Sequence, residues 1–279
     1  MKRKEQLVVV RGGGDIATGT IHKLHRSGYP VVVLETEHPS AIRRKVACSE
    51  AIYEGMVEIE GMLCFVAKTP EEIPTILEKG GVPILVDPKG ECLPMLKPWA
   101  LVDGILAKKN LGTHRKMAPI TIALGPGFVA GEEVDLVIET MRGHDLGRIL
   151  TKGMAMKNTG VPGNIGGYDK ERVIYAPAQG RVKILRDIGS SVIAGEPIAK
   201  ILGMEEVVVT ATISGLVRGM IREGFYVTEG FKMADIDPRL EEYENCFTIS
   251  DKARCIAGGV LEGLLWMEEV LDRKDGRNT

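Results

Sequence analysis

The hydrophobic pattern is sharpest near the start of the chain. An apolar run from Leu7 to Val10 meets three consecutive glycines, Gly12, Gly13 and Gly14; a helical pattern follows, and a second apolar run, Val31 to Leu34, closes on Glu35. Ala17, Ile21 and Leu24 fall on one helical face, and Gly28 with Pro30 supplies the stop. The stretch therefore predicts a βαβ unit. Strand patterns at Met62 to Lys68, Pro83 to Asp87, Leu101 to Ala107, Ile120 to Leu124 and Val134 to Ile138, with a helix pattern over Thr69 to Lys79, continue the alternation expected of a parallel sheet.

A different pattern follows. Gly180, Gly189, Val192 and Gly195 are matched by Gly215, Gly224, Val227 and Gly230, each pair offset by 35 residues; Val182 with Val217 and Ile198 with Met233 keep the offset. Two copies of a strand-turn-strand unit are predicted, each too small to bury its own apolar face, so they should pack against each other. Ser250 to Asp272 predicts a helix capped by Ser250, with Ile256, Val260, Leu264, Met267 and Leu271 on one face and Gly258-Gly259 marking a close approach. Thr159 to Gly167 is rich in turn formers, and the tail DRKDGRNT is polar. These patterns predict an α/β fold: a Rossmann-like parallel-sheet nucleotide-binding domain over 1–118, a β-rich domain over 119–240 with the internal repeat over 172–236, and a C-terminal helix and tail over 241–279.

Composition narrows the function classes. With 279 residues, 44% of them hydrophobic, and a formal net charge of −2, the chain reads as globular without an electrostatic footprint for nucleic acid. No run of about 18 apolar residues exists, and MKRKEQ leads into too short an apolar run for a signal peptide, so no membrane partner and a cytoplasmic location are expected. The five cysteines, Cys48, Cys64, Cys92, Cys246 and Cys255, show no C-x-x-C spacing. His22 and His25 lie one helical turn apart but bring no third ligand, so no metal site is expected.

Candidate chemistry gathers at predicted strand ends, where α/β sheets bind ligands. Gly12 suits the turn off the first strand, Gly14 the approach of backbone N–H groups to a pyrophosphate, and Ala17 the close packing of helix on strand; Gly13 and Thr18 complete the loop. Glu35, 21 residues after Gly14, is placed to accept hydrogen bonds from a ribose. Asp15 opposes a bound anion, since a carboxylate can itself satisfy a helix N-terminus. Lys108, Lys109 and Asn110 follow another strand, and Gly125-Pro126-Gly127 another. The basic cluster Arg43-Arg44-Lys45 can neutralise a ribose phosphate, although Glu35 favours the unphosphorylated dinucleotide. Arg142 and His144 are candidates for binding an anion and moving a proton, and Cys48 is a weaker candidate facing the same cleft.

The repeat, A-P-A-Q-G-R-V followed by I-G-S-S-V-I-A-G-E-P-I, resembles the barrel-sandwich hybrid of lipoyl and biotinyl carrier domains. The link between its halves, Ile201 to Glu206, has no lysine to modify, so a scaffold or docking surface is expected rather than a swinging-arm carrier. R-G-G-G-D-I-A-T-G at 11–19, S-E-A-I-Y-E-G at 49–55, L-G-P-G-F-V-A-G at 124–131, I-E-T-M-R-G-H-D-L-G at 138–147, N-T-G-V-P-G at 158–163, D-I-D-P-R at 235–239 and I-S-D-K-A-R at 249–254 together resemble the selenium-dependent molybdenum hydroxylase maturation family. That resemblance implies an accessory protein acting on the molybdenum cofactor or its sulfur or selenium ligand, with NAD(P) or a molybdopterin nucleotide as cofactor and the hydroxylase or its maturation machinery as partner; a homo-oligomer is compatible with it. It assigns no catalytic residue. The G-G-G-D opening is also similar to that of the precorrin dehydrogenases of sirohaem synthesis, which implies an NAD(P)-dependent oxidoreductase as the alternative. A third reading is a non-catalytic module that senses nucleotide and docks a partner.

Overall fold

The computed structural model describes residues 3–157, 160 and 163–274. The N-T-G-V-P-G motif, apart from Gly160 and Gly163, and the last five residues of the tail lie outside the described residues. The chain divides into two compact units: residues 1–39, 47–158 and 249–279 form the first, and residues 40–46 and 159–248 the second.

The first unit is α/β. Its strands are β1 (Val8–Arg11), β2 (Val31–Glu35), β3 (Met56–Ile59), β4 (Met62–Ala67), β5 (Val82–Val86), β6 (Ala100–Asp103), β7 (Ile120–Leu124), β8 (Leu136–Ile138) and β9 (Ile149–Leu150). Its helices are α1 (Asp15–Arg26), α2 (Ala51–Glu54), α3 (Ile73–Glu78), α4 (Leu93–Leu96) and α5 (Asp251–Lys274). One sheet takes the order β3-β4-β5-β2-β1-β6-β7-β8-β9, parallel from β4 to β8 and flanked by antiparallel edges. The apolar runs are explained by position: β1 and β7 are buried at every residue because both faces of the sheet are covered. The parallel sheet does not stop at 118, as the sequence division has it. β7 and β8 hydrogen-bond onto β6 and extend the same sheet.

The order of strand addition changes side at β1: from β1 the chain crosses to β2 on one side, whereas β6 lies on the other, all three strands running parallel. β6 ends at Asp103, short of the Ala107 expected: after one more bond to β1, from Gly104 N to Arg11 O, the chain turns away through Leu106 and Lys108, both at positive φ. No long helix bridges β6 and β7; the connection carries only a single 3-10 turn, Arg115–Met117. Beside it opens a concavity of about 770 Å³ lined by Leu93, Lys97, His114, Lys116 and Met117, among others.

The long α5 packs beside α1 on one face of this sheet. Ser250 caps it as the sequence predicts, its hydroxyl accepting from Ala253 N at 3.2 Å, and Ile256, Val260 and Leu264 are buried in the core. The close approach expected at Gly258-Gly259 falls on Gly259 alone, where a Cβ would collide with Gly147 O; Gly258 faces open space. At the α1 contact a Cβ on Gly19 would lie 2.8 Å from Ala253.

The second unit is antiparallel β: β10 (Val173–Tyr175), β11 (Gly180–Ile184), β12 (Ser191–Val192), β13 (Pro197–Leu202), β14 (Glu206–Thr210), β15 (Gly215–Met220), β16 (Tyr226–Val227) and β17 (Lys232–Asp237). The 35-residue offset is kept strand by strand, β11 with β15, β12 with β16 and β13 with β17. The halves exchange strands. β12 of the first pairs with β15 of the second, and β16 of the second pairs with β11 of the first, giving two four-stranded sheets in the orders β10-β17-β15-β12 and β14-β13-β11-β16. Gly180 and Gly215 occupy equivalent crowded positions, where a Cβ would collide with Leu202 O and Asp237 O respectively.

Among the described residues no helix is long and apolar enough to cross a membrane. Replacing Gly19 by Val drives a branched side chain into Ala253. We expect a loss of about 3 kcal/mol in urea unfolding, the upper range for overpacking, whereas Gly258→Ala changes stability by less than about 1 kcal/mol.

Candidate functional site

The glycine loop sits where the carboxyl ends of β1 and β6 part. Gly12 has φ +90°, a conformation that L side chains resist, and a Cβ there would press on Gly104 and Ile105 at 3.1 Å. Gly13 packs on Ser49, whose N–H donates to Gly13 O at 2.9 Å. Gly14 differs from both: it is the N-cap of α1 with φ −65°, and a Cβ on it meets nothing within 4 Å. The first turn of α1 therefore faces open space at its cap. Ala17 is small because Gly104 lies against it, a Cβ there coming within 2.9 Å of the Ala17 Cβ.

Asp15 does not cap the helix. No side-chain cap hydrogen bond forms at this N-terminus, so the first-turn amides keep their donor capacity. Glu35 has instead found the loop: its Oε2 accepts from Gly13 N at 2.7 Å and its Oε1 from Thr36 N at 2.8 Å. The carboxylate stands at the end of β2, as the spacing predicts, and holds the loop from outside. Thr18 works from inside. Its hydroxyl donates to Gly14 O at 2.9 Å and accepts from Cys48 N at 2.9 Å, so it braces the loop rather than facing a ligand.

The other candidates divide. Gly125 and Gly127 pack closely on Thr140 and on the backbone of Lys108-Lys109, so three strand-end loops meet, with both lysine side chains exposed. Asn110 is occupied: its Oδ1 accepts from Gly112 N and Thr113 N, and its Nδ2 donates to Thr113 O and Glu133. Arg142 pairs with Asp251 at 2.9 Å at the start of α5, and His144 is exposed. Cys48 does not face the cleft; it is fully buried, with its sulfur 3.1 Å from that of Cys64. The basic cluster belongs to the second unit: Arg43 donates to Asn245 O and Thr248 O, and Arg44 to Met220 O and Asp187. Arg43 and Arg44 are thus engaged within that unit, whereas Lys45 is exposed.

Two residues of this region are not singled out by sequence reasoning. Arg11 extends from β1 beneath the 104–113 segment, fully inside the protein, donating to Thr113 Oγ1 and to Pro88 O at 2.6 Å. Thr113 in turn donates to Asp103 Oδ2 at 2.6 Å. Burial raises the Asp103 carboxyl above its ordinary value, while the bonds from Thr113 and Ile105 N–H and the nearby guanidinium pull the other way. Lys252 lies in the first turn of α5, half-buried. Its burial and the Arg142 charge hold its ammonium below the ordinary lysine value, against the pull of Asp15, Glu139 and Asp251. A signal was present in the sequence, since a lysine in a first turn opposes the helix dipole.

His22 is buried with Nε2 3.4 Å from Glu60 O. Among the described residues no group of three or more His, Cys, Asp or Glu side chains could hold a metal ion.

No family model matches the sequence. The uncharacterised protein YqeB of Escherichia coli K12 is 48% identical over 263 residues, covering 94% of this chain and 48% of that protein, so the chain spans about half the length of its curated relative. Among solved structures, the product-bound ectoine utilisation protein EutE (DoeB) of Ruegeria pomeroyi is 12% identical with a TM-score of 0.24, over 82% of this chain and 56% of that one. A succinylglutamate desuccinylase/aspartoacylase of Rhodobacter sphaeroides is 13% identical with a TM-score of 0.28, over 84% and 86%. An aspartoacylase family protein of Mesorhizobium loti is 10% identical with a TM-score of 0.26, over 83% and 84%.

These findings correct the family reading made from the motifs. The solved structures found are desuccinylase and aspartoacylase relatives, neither molybdenum hydroxylase maturation proteins nor dehydrogenases, and they overturn the accessory role and the oxidoreductase alternative. At these identities and TM-scores the same structures assign no activity to this chain.

Two outcomes test the geometry. Arg11→Ala leaves Asp103 buried without its cation, and we expect about 3 kcal/mol of lost stability in urea unfolding. Burial lowers the His22 pKa below its ordinary value of 6.5, so the unfolded chain binds the proton more tightly and stability is lost as pH falls through that value. His22→Gln should flatten this decline in thermal unfolding between about pH 5 and 7; His25, shifted the same way by burial, contributes to the slope that remains.

Proposed function

We propose that the first unit is a Rossmann-like domain that binds a nucleotide cofactor at the divergence of β1 and β6, and that the second unit is a barrel-sandwich-like scaffold. The observation that carries this reading is the state of the glycine loop. Gly14 is open, the α1 N-terminus has no side-chain cap, and a carboxylate stands at the end of the neighbouring strand. Helix N-terminal amides suit a phosphate, and an acid at the position of Glu35 suits ribose hydroxyls.

Glu35 gives the ligand a preference. Its negative charge beside Gly13 repels a phosphate on the ribose and accepts from free hydroxyls, so the reading favours NAD over NADP, with a molybdopterin nucleotide as the other cofactor to be compared. Exchange of the Gly13 hydrogen bond for a ribose hydroxyl keeps the carboxylate satisfied in both states. Lys252 adds positive charge beside Asp15 at the same end of the sheet. The reading is one of binding and names no reaction.

Gly14→Asp is the discriminating variant, because the position has room for a side chain and an ordinary φ. In titration calorimetry with NAD, NADP and a molybdopterin nucleotide, the wild type should bind at least one, and the variant should bind it at least about tenfold more weakly with an unchanged unfolding midpoint. Absence of binding to all three by the wild type overturns the reading.

A further inference from the structure

The buried contact between Cys48 and Cys64 points to chemistry separate from the ligand site. The two sulfurs lie 3.1 Å apart in the core of the first unit, both thiols are free, and neither side chain touches solvent. They come from unlike elements, one from the turn entering α2 and the other from β4, so the fold rather than local sequence brings them together. Forming a bond between them needs a movement of only about 1 Å.

We propose that Cys48 and Cys64 are a modification site: a thiol pair that a low-molecular-weight disulfide oxidises to an intramolecular disulfide. One cysteine thiolate attacks the small disulfide, forming a mixed disulfide and releasing one small thiol; the second cysteine then attacks the protein-bound sulfur and releases the other. Two protein thiols are oxidised, one small disulfide is reduced, and the two protons end on the released thiols.

Access is set by the edge of the sheet. The hydrogen bond to Cys48 and burial hold the Cys64 thiol protonated in the closed state, so exchange proceeds when the β3–β4 hairpin opens. β3 is the edge strand, and Cys64 is registered against its Val57. The reaction is therefore slow and follows local opening rather than surface reactivity. The exposed Cys255 provides the contrast.

Oxidation reaches the glycine loop through two hydrogen bonds. Cys48 N donates to Thr18 Oγ1, which braces Gly14 O, and the adjacent Ser49 N donates to Gly13 O. Drawing Cys48 toward Cys64 pulls on both. The loop thus changes with the oxidation state of a pair that never faces it.

The test equilibrates the full chain with defined ratios of glutathione disulfide and glutathione, quenches in acid with alkylation of free thiols, and maps peptides by mass spectrometry. A Cys48–Cys64 linked peptide, lost in Cys48→Ala and in Cys64→Ala and retained in Cys255→Ser, is the expected result. Glutathione adducts on Cys255 with no linked peptide at any ratio overturn the proposal. Hydrogen exchange of the peptide spanning residues 11–18 tests the coupling without any ligand. It should become about tenfold faster on oxidation, and unchanged exchange in a mapped disulfide form would reject the coupling alone.

Discussion

The buried guanidinium of Arg11 is the interaction on which the ligand end of the first unit depends. A cation inside the protein must be matched, and its partners come from three places: Thr113 with Asp103 on one side, Pro88 O on another and Leu111 O at 3.5 Å on a third. The demand is local, but its effect is not. Meeting it folds the 104–113 segment over the end of β1, and this segment is one wall of the parting between β1 and β6. The glycine loop is the other wall. A neutral residue at position 11 would leave the segment without its anchor and Asp103 without a counter-charge.

Around that anchor the backbone is satisfied by carboxylates. Asp87 accepts from Gly90, Glu91 and Cys92, which holds its carboxyl below the ordinary range despite burial. Glu139 accepts from Thr140, Met141 and Met156. Glu35 accepts from Gly13 and Thr36. These three acids fix turns that follow β5, β8 and β2. Of the three, Glu35 alone holds the glycine loop, so its bond is the one a ligand hydroxyl can replace.

The sequence made the covered strands legible because a strand buried on both faces leaves an uninterrupted apolar run; β1, β2 and β7 lie where the runs lie. The repeat was legible for another reason, since an offset of 35 survives in positions such as Gly180 and Gly215 that admit no side chain. What failed to show depended on pairing at a distance. Strand exchange between the halves leaves no trace in either copy. The interior roles of Arg43 and Arg44 look like a surface charge cluster until Asn245, Thr248 and Met220 are placed beside them. Asn110 and Thr18 have the right chemistry for a ligand but spend it on backbone, and Cys48 lies behind the loop rather than before it. The family motifs spanned the chain in order and still misled.

The order in which the chain visits its two units has a consequence for synthesis. Residues 40–46 leave the first unit for the second, and residues 249–279 return to it. On a ribosome, the second unit is complete once residue 248 has emerged. The first still lacks α5, so the flank of α1 at Gly19, which Ala253 later covers, remains bare. The unit that begins first closes after the second, and its nascent form must be kept from other apolar surfaces until α5 arrives.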